Sequence, residues 1–163
     1  MIELKAITWD NFWAVSRLRL TEKQAQYTLD NAMFIAQGYL NFQADYLDVL
    51  KAITINERPI GFVKWVHVPK AVEPYHLKRS ATLIDAFMLD RDFQNKGYGK
   101  KAFKKVIETI QADERFLSES LVLLCHAKNK AAHVFFERFG FIKTGATHIK
   151  EDKLYLWFER AKL

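Results

Sequence analysis

Hydrophobic and polar positions along the chain alternate between two periods. Ile2 to Ile7 alternates loosely and predicts a first strand. Thr8-Trp9-Asp10-Asn11 supplies capping residues ahead of Phe12, Trp13, Val15, Leu18 and Leu20, so a helix is expected there. A second helix fits roughly residues 22–39, with Leu29, Met33 and Ala36 or Gln37 on one face; residues 41–48 are ambiguous and read as helical. Lys51–Ile55 and Ile60–Val68 are strand-like runs around Asn56-Glu57-Arg58-Pro59, a hairpin signal. Pro69 and Pro74 bracket a loop reaching about Lys78.

Residues 82–89 (Thr-Leu-Ile-Asp-Ala-Phe-Met-Leu) and 121–125 (Leu-Val-Leu-Leu-Cys) are nearly continuous apolar runs, as expected of strands covered on both faces. Between them Ala102, Phe103, Val106, Ile107 and Ile110 recur at helical spacing. Strand, crossover helix and strand predict parallel neighbours. Asn129 can cap a following helix through Phe139 that stops at Gly140, and Phe141–Ile149 with Lys153–Glu159 closes the chain as a hairpin around Glu151-Asp152. The elements run β, two helices, three strands, helix, strand, helix, two strands. With 163 residues, no low-complexity linker and no repeat, residues 1–163 are expected to form a single domain.

Half of the residues are hydrophobic, which excludes a disordered chain or a disulfide-built miniprotein. Cys125 is the single cysteine, so no internal disulfide is available and a reducing, cytoplasmic setting is expected. The first residues lack the pattern of a signal peptide, and no apolar run is long enough to span a membrane. The net charge of +6 is local: Arg91, Lys96, Lys100, Lys101, Lys104 and Lys105 face Asp92 alone between residues 91 and 105. Such a compact cluster suits a small polyanion better than nucleic acid, which draws a stripe across a whole face.

That cluster surrounds the loop Asp90–Lys100, between a buried strand and a helix. Gly97 and Gly99 let the backbone turn sharply and approach a ligand. The free N–H groups and dipole of a helix N-terminus favour negative charge, so the segment is a pyrophosphate cradle in principle. The Gly97-Tyr98-Gly99-Lys100-Lys101-Ala102 run also fits a dinucleotide fingerprint, but seven residues separate it from its strand where that fingerprint needs a tight turn. The five histidines show no metal-ligand spacing, so no metal is expected. Trp9, Trp13, Trp65 and Trp157 are expected in the core or lining a groove.

The segment Gln94-Asn95-Lys96-Gly97-Tyr98-Gly99 resembles the acetyl-CoA signature Gln/Arg-x-x-Gly-x-Gly/Ala of the GCN5-related N-acetyltransferases. Asn129, Ala132 and Phe136-Glu137-Arg138-Phe139-Gly140-Phe141 resemble the family's second signature. Gln24-Ala25-Gln26-Tyr27, Asn31-Ala32, Ile60-Gly61-Phe62-Val63 and Phe87-Met88-Leu89-Asp90 look like its bacterial spermine/spermidine (polyamine and diamine) branch. The resemblance covers essentially the whole chain. It implies an α/β (α+β) fold: a central, mixed, mostly antiparallel sheet of about seven strands, with a splayed parallel pair (82–89 and 121–125) and about four flanking helices.

It implies an acyltransferase moving acetyl from acetyl-CoA to a primary amine, most simply spermine or spermidine. The acceptor could instead be an aminoglycoside, an amino acid or a protein N-terminus. Phe87, Met88 and Leu89 would line the pantetheine arm, with the Phe87 N–H as oxyanion donor. Backbone N–H groups of Gln94, Asn95, Lys96, Gly97, Tyr98, Gly99 and Lys100 would hold the pyrophosphate, and Asn129 and Phe136 would also contact CoA. No nucleic acid or membrane partner is implied, and a homodimer is left open. The family usually places Tyr, as general acid, where this chain has Phe136, which leaves a weak, CoA-sensing relative as an alternative. A thiolate of pKa ~8.5 leaves fairly well unprotonated, so losing that acid costs no more than ~10²–10⁴-fold; Tyr155, Tyr98 or water could replace it. The amine, with pKa ~10.4, needs roughly 4–5 kcal/mol to lose its proton at neutral pH. Asp85, the lone acid in its apolar strand, is a candidate base, and Glu73 and Asp30 are candidates for binding a cationic amine.

Overall fold

The computed structural model describes residues 1–71, 75, 77–118 and 120–161. Seven strands, β1 (Ile2–Ala6), β2 (Asp48–Ile55), β3 (Arg58–Val68), β4 (Ala81–Leu89), β5 (Ser120–His126), β6 (Ile142–Lys150) and β7 (Lys153–Ala161), form one sheet. Its order is β1-β2-β3-β4-β5-β7-β6. Five helices are described: α1 (Trp9–Ser16), α2 (Glu22–Ala25), α3 (Asn31–Gln43), α4 (Tyr98–Ala112) and α5 (Lys130–Glu137). The predicted parallel pair is present: Thr82–Ile84 of β4 run beside Leu121–Leu123 of β5. That ladder is three pairs long, so it uses only the first half of β4. The β1–β2, β5–β7 and β6–β7 pairs are antiparallel.

Both hairpin turns fall where the sequence places them. Asn56 and Glu57 (φ 47 and 64) and Glu151 and Asp152 (φ 50 and 59) all take left-handed conformations, the twist that a two-residue turn between right-twisted strands requires.

One expected helix is two. Residues 22–39 divide into the single turn of α2 and the longer α3, because Asp30 is extended (φ −66, ψ 150) and starts α3 as its N-cap. Thr28 and Asp30 are poor helix-interior residues, and Thr21 with Gln24 closes α2 reciprocally through two hydrogen bonds of 3.2 and 3.3 Å. The break also turns α3. Asn31, Phe34 and Gly38 face inward, while Met33, expected on the buried face, is 53% exposed. Residues 41–48 end α3 and begin β2 rather than forming a further helix.

The chain divides into two compact units, Met1–Trp65 with Ala86–Phe116, and Val66–Asp85 with the chain from Leu117 on. In the first, Val15, Phe34, Ala52, Phe62 and Ala86 form a core to which Leu29, Ile35 and Met88 are added. Ala102, Phe103, Val106, Ile107 and Ile110 are the buried stripe of α4, as their spacing predicts. Under α3 lies a buried ion pair that no motif announces. Lys64 Nζ stands 3.5 Å from Asp48 Oδ2, each side chain only 2% exposed, and Asn41 Nδ2 donates to the same oxygen at 2.7 Å. Trp65 is buried as expected, but Trp9 and Trp13 are exposed.

In the second unit, Val66, Val68, Ala81, Leu83, Val122 and Trp157 form the core on one face of the strands, with Tyr75, Leu77 and Leu124 against it. The opposite face meets α5, where His133 packs against Phe158 with ring centres 5.2 Å apart. Helix α5 ends at Glu137, and Gly140 follows at φ 81.

Candidate cofactor-binding site

In the first unit β4 ends at Leu89 and α4 begins at Tyr98, and the residues between are tied down at several points. Asp90 is the first anchor. Its N–H donates to Ile60 O at 2.8 Å, and its carboxylate accepts the N–H groups of Arg19 and Asp92 at 2.8 and 2.9 Å. The second anchor is Gln94. Its Nε2 donates to Leu89 O at 2.9 Å, and its amide pairs reciprocally with the Gln24 amide at 3.0 and 3.1 Å. The leading glutamine of the motif therefore staples the loop to the end of β4 and to α2. Gln24 was visible in the sequence only as part of the branch resemblance.

Gly97 makes the final turn at φ 80, and a Cβ built there would meet nothing within 4 Å. Its need is conformational, since L-residues pay about 1–2 kcal/mol in that region. No side chain caps α4, and no acid stands in its first turn. The first helical bond runs from Lys101 N–H to Gly97 O, so the N–H groups of Tyr98, Gly99 and Lys100 lie ahead of it. Lys100 and Lys101 are exposed beside them, and Lys96 Nζ donates to Asp92 O at 2.7 Å. An uncapped N-terminus of a fifteen-residue helix, flanked by lysines, fits a phosphate group on both hydrogen bonding and charge.

Phe87, the expected oxyanion donor, sends its ring onto Phe103 of α4, with centres 4.8 Å apart. The side chain thus fixes the strand against the helix. Gly61 is required on the neighbouring strand: a Cβ there would come within 2.5 Å of Met88 O. A cavity of about 220 Å³ in the same unit is lined by Leu18, Arg19, Leu29, Asp30, Asn31 and Met88, among others. Asp30, a candidate for binding an amine, therefore lies beside Met88, expected at the cofactor arm. Asn31 Nδ2 donates to Val15 O at 2.9 Å and holds α3 to α1.

In the second unit Asn129 caps α5 with its own side chain, accepting Ala132 N–H at 3.4 Å. Phe136 is half-buried among Phe135 and Phe141, and a phenyl ring has no proton to give. Tyr155 stands directly across from His126 on β5 and His148 on β6. Burial, then the nearby Glu151, pushes its hydroxyl above the usual phenol range, which keeps the proton in place. Burial also draws both histidines below the usual imidazole value. Asp85 lies near Tyr75, whose hydroxyl is pushed up to about 12 by burial and then by the Asp85 charge. Tyr75 packs on His148 and Trp157, each with ring centres 5.5 Å away. Glu73 lies outside the described residues. Cys125 is a buried thiol pushed up to about 12 by desolvation, and so is packing rather than a nucleophile. Among the described residues no group of side chains could hold a metal ion, and no helix is long and apolar enough to cross a membrane.

Known proteins place these features. Residues 9–141 match the model of the acetyltransferase (GNAT) family. A spermine/spermidine N(1)-acetyltransferase of Bacillus subtilis (strain 168) is 24% identical over 153 residues, 94% of this chain and 95% of the relative. The fold is shared with an acetyltransferase from Thermus thermophilus, with a TM-score of 0.67 at 14% identity over 99% of this chain and 97% of the other. It is shared too with Arabidopsis thaliana NAA60, solved with a bisubstrate analogue, at a TM-score of 0.66 and 15% identity over 99% of each chain. The motif at Gln94–Gly99, the mixed seven-stranded sheet and the match over most of the length agree: this chain belongs to the GNAT family of N-acetyltransferases and is an acyltransferase.

Proposed function

We propose that this enzyme transfers the acetyl group of acetyl-CoA to a primary amine of a polyamine, spermine or spermidine, by direct attack. The observation that carries the cofactor half is the uncapped start of α4 behind Gly97, held in place by Gln94 and Asp90. The N–H groups of residues 94–100 take the pyrophosphate, and Lys100 and Lys101 offset its charge. Phe87, Met88 and Leu89 present their backbone to the pantetheine arm. Asn129 and Phe136 are assigned to the same cofactor on their sequence match.

The thioester supplies an activated acetyl group, so the protein's tasks are to orient, to stabilise charge and to manage protons. The Phe87 N–H meets the negative charge that develops on the thioester oxygen. Asp85 accepts the proton that the ammonium must lose, directly or through water. Tyr155 gives a proton to the departing sulfur in place of the tyrosine that Phe136 replaces, although burial tightens its hold on that proton and so weakens it as an acid. Asp30, on the wall of the 220 Å³ cavity, pairs with an ammonium of the acceptor, as does Glu73.

The polyamine half rests on the Bacillus subtilis relative. Release of free thiol is followed with pure protein, acetyl-CoA and a panel of spermine, spermidine, an aminoglycoside, an amino acid and a peptide with a free N-terminus. Spermine or spermidine is expected to release most. A better aminoglycoside, amino acid or peptide overturns the acceptor. CoA binding without thiol release from any amine makes the protein a CoA-binding relative that does not turn over.

A further inference from the structure

Helix α2 is a single turn, and no apolar packing holds it. A helix that short is not stable by itself, and none of its four side chains is buried. Polar contacts fix it instead. Gln24 Oε1 accepts the Thr21 N–H at 3.2 Å and closes the turn on itself. The same Gln24 amide reaches out of the turn to Gln94, donating to its Oε1 at 3.0 Å and accepting from its Nε2 at 3.1 Å. Five residues earlier, Arg19 is joined to the other end of the same loop. Its N–H donates to Asp90 Oδ2 at 2.8 Å, its carbonyl accepts the Arg91 N–H at 2.7 Å, and its guanidinium lies 3.8 Å from Asp92. Residues 19–24 are thus tied at both ends to residues 90–94, the stretch that leads into the uncapped start of α4.

The segment held in this way is also a wall. Arg19, Leu20, Ala25, Leu29 and Asp30 line the cavity of about 220 Å³, together with Met88. We propose that Gln24 is a positioning residue: through its amide pair with Gln94 it sets the cavity wall by the state of the loop, so that CoA and the amine acceptor bind with positive coupling. This role rests on the assignment of the loop to CoA and of the cavity to the acceptor. The Arg19 ties run largely through its backbone, which any residue there supplies, whereas the tie at position 24 depends on the side chain. Only a primary amide both donates to and accepts from the Gln94 amide, whose Nε2 is shared with Leu89 O. A pyrophosphate that takes the N–H groups of residues 94–100 restricts Gln94, and the pair passes that restriction to α2. The acceptor then meets a wall that is already ordered and has less ordering left to do.

Backbone hydrogen exchange of the full chain, with and without CoA, tests the tie before any acceptor is added. In the wild type CoA should slow exchange over residues 90–101 and also over residues 19–30. In Gln24→Ala the first effect should remain and the second should be lost. Calorimetric titration with spermine then reads the coupling. Wild type should bind spermine about fivefold or more tighter with CoA present than without it, the usual scale of such coupling, and Gln24→Ala should bind it equally in both states. Gln24→Glu keeps the turn closed at Thr21 but can only accept from Gln94, so it should fall between the two. It also serves as the variant should Gln24→Ala not fold. Protection by CoA that stops at residues 90–101 overturns the proposal. So does a Gln24→Ala protein that still passes protection to residues 19–30, or wild-type spermine affinity that ignores CoA. The two underlying assignments fail differently: exchange over residues 90–101 that CoA leaves unchanged removes the cofactor site, and no spermine binding with CoA present removes the acceptor; either overturns the coupling with it.

Discussion

The junctions before α4 and before α5 both lead from a buried strand into an amphipathic helix, yet they treat the helix N-terminus in opposite ways. Before α5 the chain supplies its own partners. Asn129 Oδ1 takes the Ala132 N–H, the Asn129 N–H donates to His126 O at 2.9 Å, and the Lys128 N–H reaches His126 Nδ1 at 3.1 Å. Before α4 the capping position is Gly97, which has no side chain, and the first turn carries lysines and no acid. The hydrogen bonds there, accepted by the Asp90 carboxylate and donated by Gln94 Nε2, fix the shape of the loop, and none of them takes the N–H of Tyr98, Gly99 or Lys100. One junction is finished by the protein, and the other is the one we propose an anion finishes.

The largest effect that would break this contrast comes from charge. Replacing Lys100 and Lys101 with Glu should weaken CoA binding about a hundredfold or more, since charge-assisted contacts contribute ~1.5–3 kcal/mol each. Isothermal titration calorimetry measures it, and a loss under threefold would place the anion elsewhere. Asp48→Ala, beneath α3, should cost ~3–5 kcal/mol by leaving the Lys64 ammonium buried without its carboxylate. Urea unfolding reads that value, and it is a control that destabilises the unit without touching the loop. Gly97→Ala should destabilise by about 1–2 kcal/mol through backbone conformation alone, since a methyl there meets nothing, and should weaken CoA binding alongside. Asn129→Ala should cost ~1 kcal/mol of stability as a lost cap, where Asn129→Asp, which keeps the accepting oxygen, costs less. Equal losses for the two would deny Asn129 its capping role.

The smallest expected effect concerns pH. His133 is 2% exposed, and its Nε2 donates to His126 O at 3.0 Å. Burial holds its pKa below the ordinary ~6.5. The unfolded chain therefore takes up the proton first. The stability that neutral His133 contributes is present above pH ~6.5 and is lost as pH falls from there through its lower folded-state value. Thermal midpoints of wild type should decline over that interval, and His133→Gln should flatten the decline.

Much of this was legible in the sequence for physical reasons that can be named. Fully covered strands such as β4 and β5 read as unbroken apolar runs, and the stripe of α4 reads at its helical period, because burial imposes both patterns. Gly97 stood out because its backbone conformation demands glycine. What the sequence hid were contacts between residues distant along the chain. Nothing local pairs Lys64 with Asp48, or Gln94 with Gln24, since each depends on which strands and helices end up adjacent. The break at Asp30 was hidden because the apolar spacing on either side of it continues as if one helix ran through. That break turned α3, and so Met33 and Ala36 came to face outward, contrary to the periodic reading.

The central claim, that the start of α4 is the anion site, is tested most directly by following backbone amide resonances of ¹⁵N-labelled protein during titration with CoA. The largest shifts should fall on residues 94–101, and pyrophosphate alone should reproduce a subset of them. Tight CoA binding that leaves those amides unmoved would contradict the assignment.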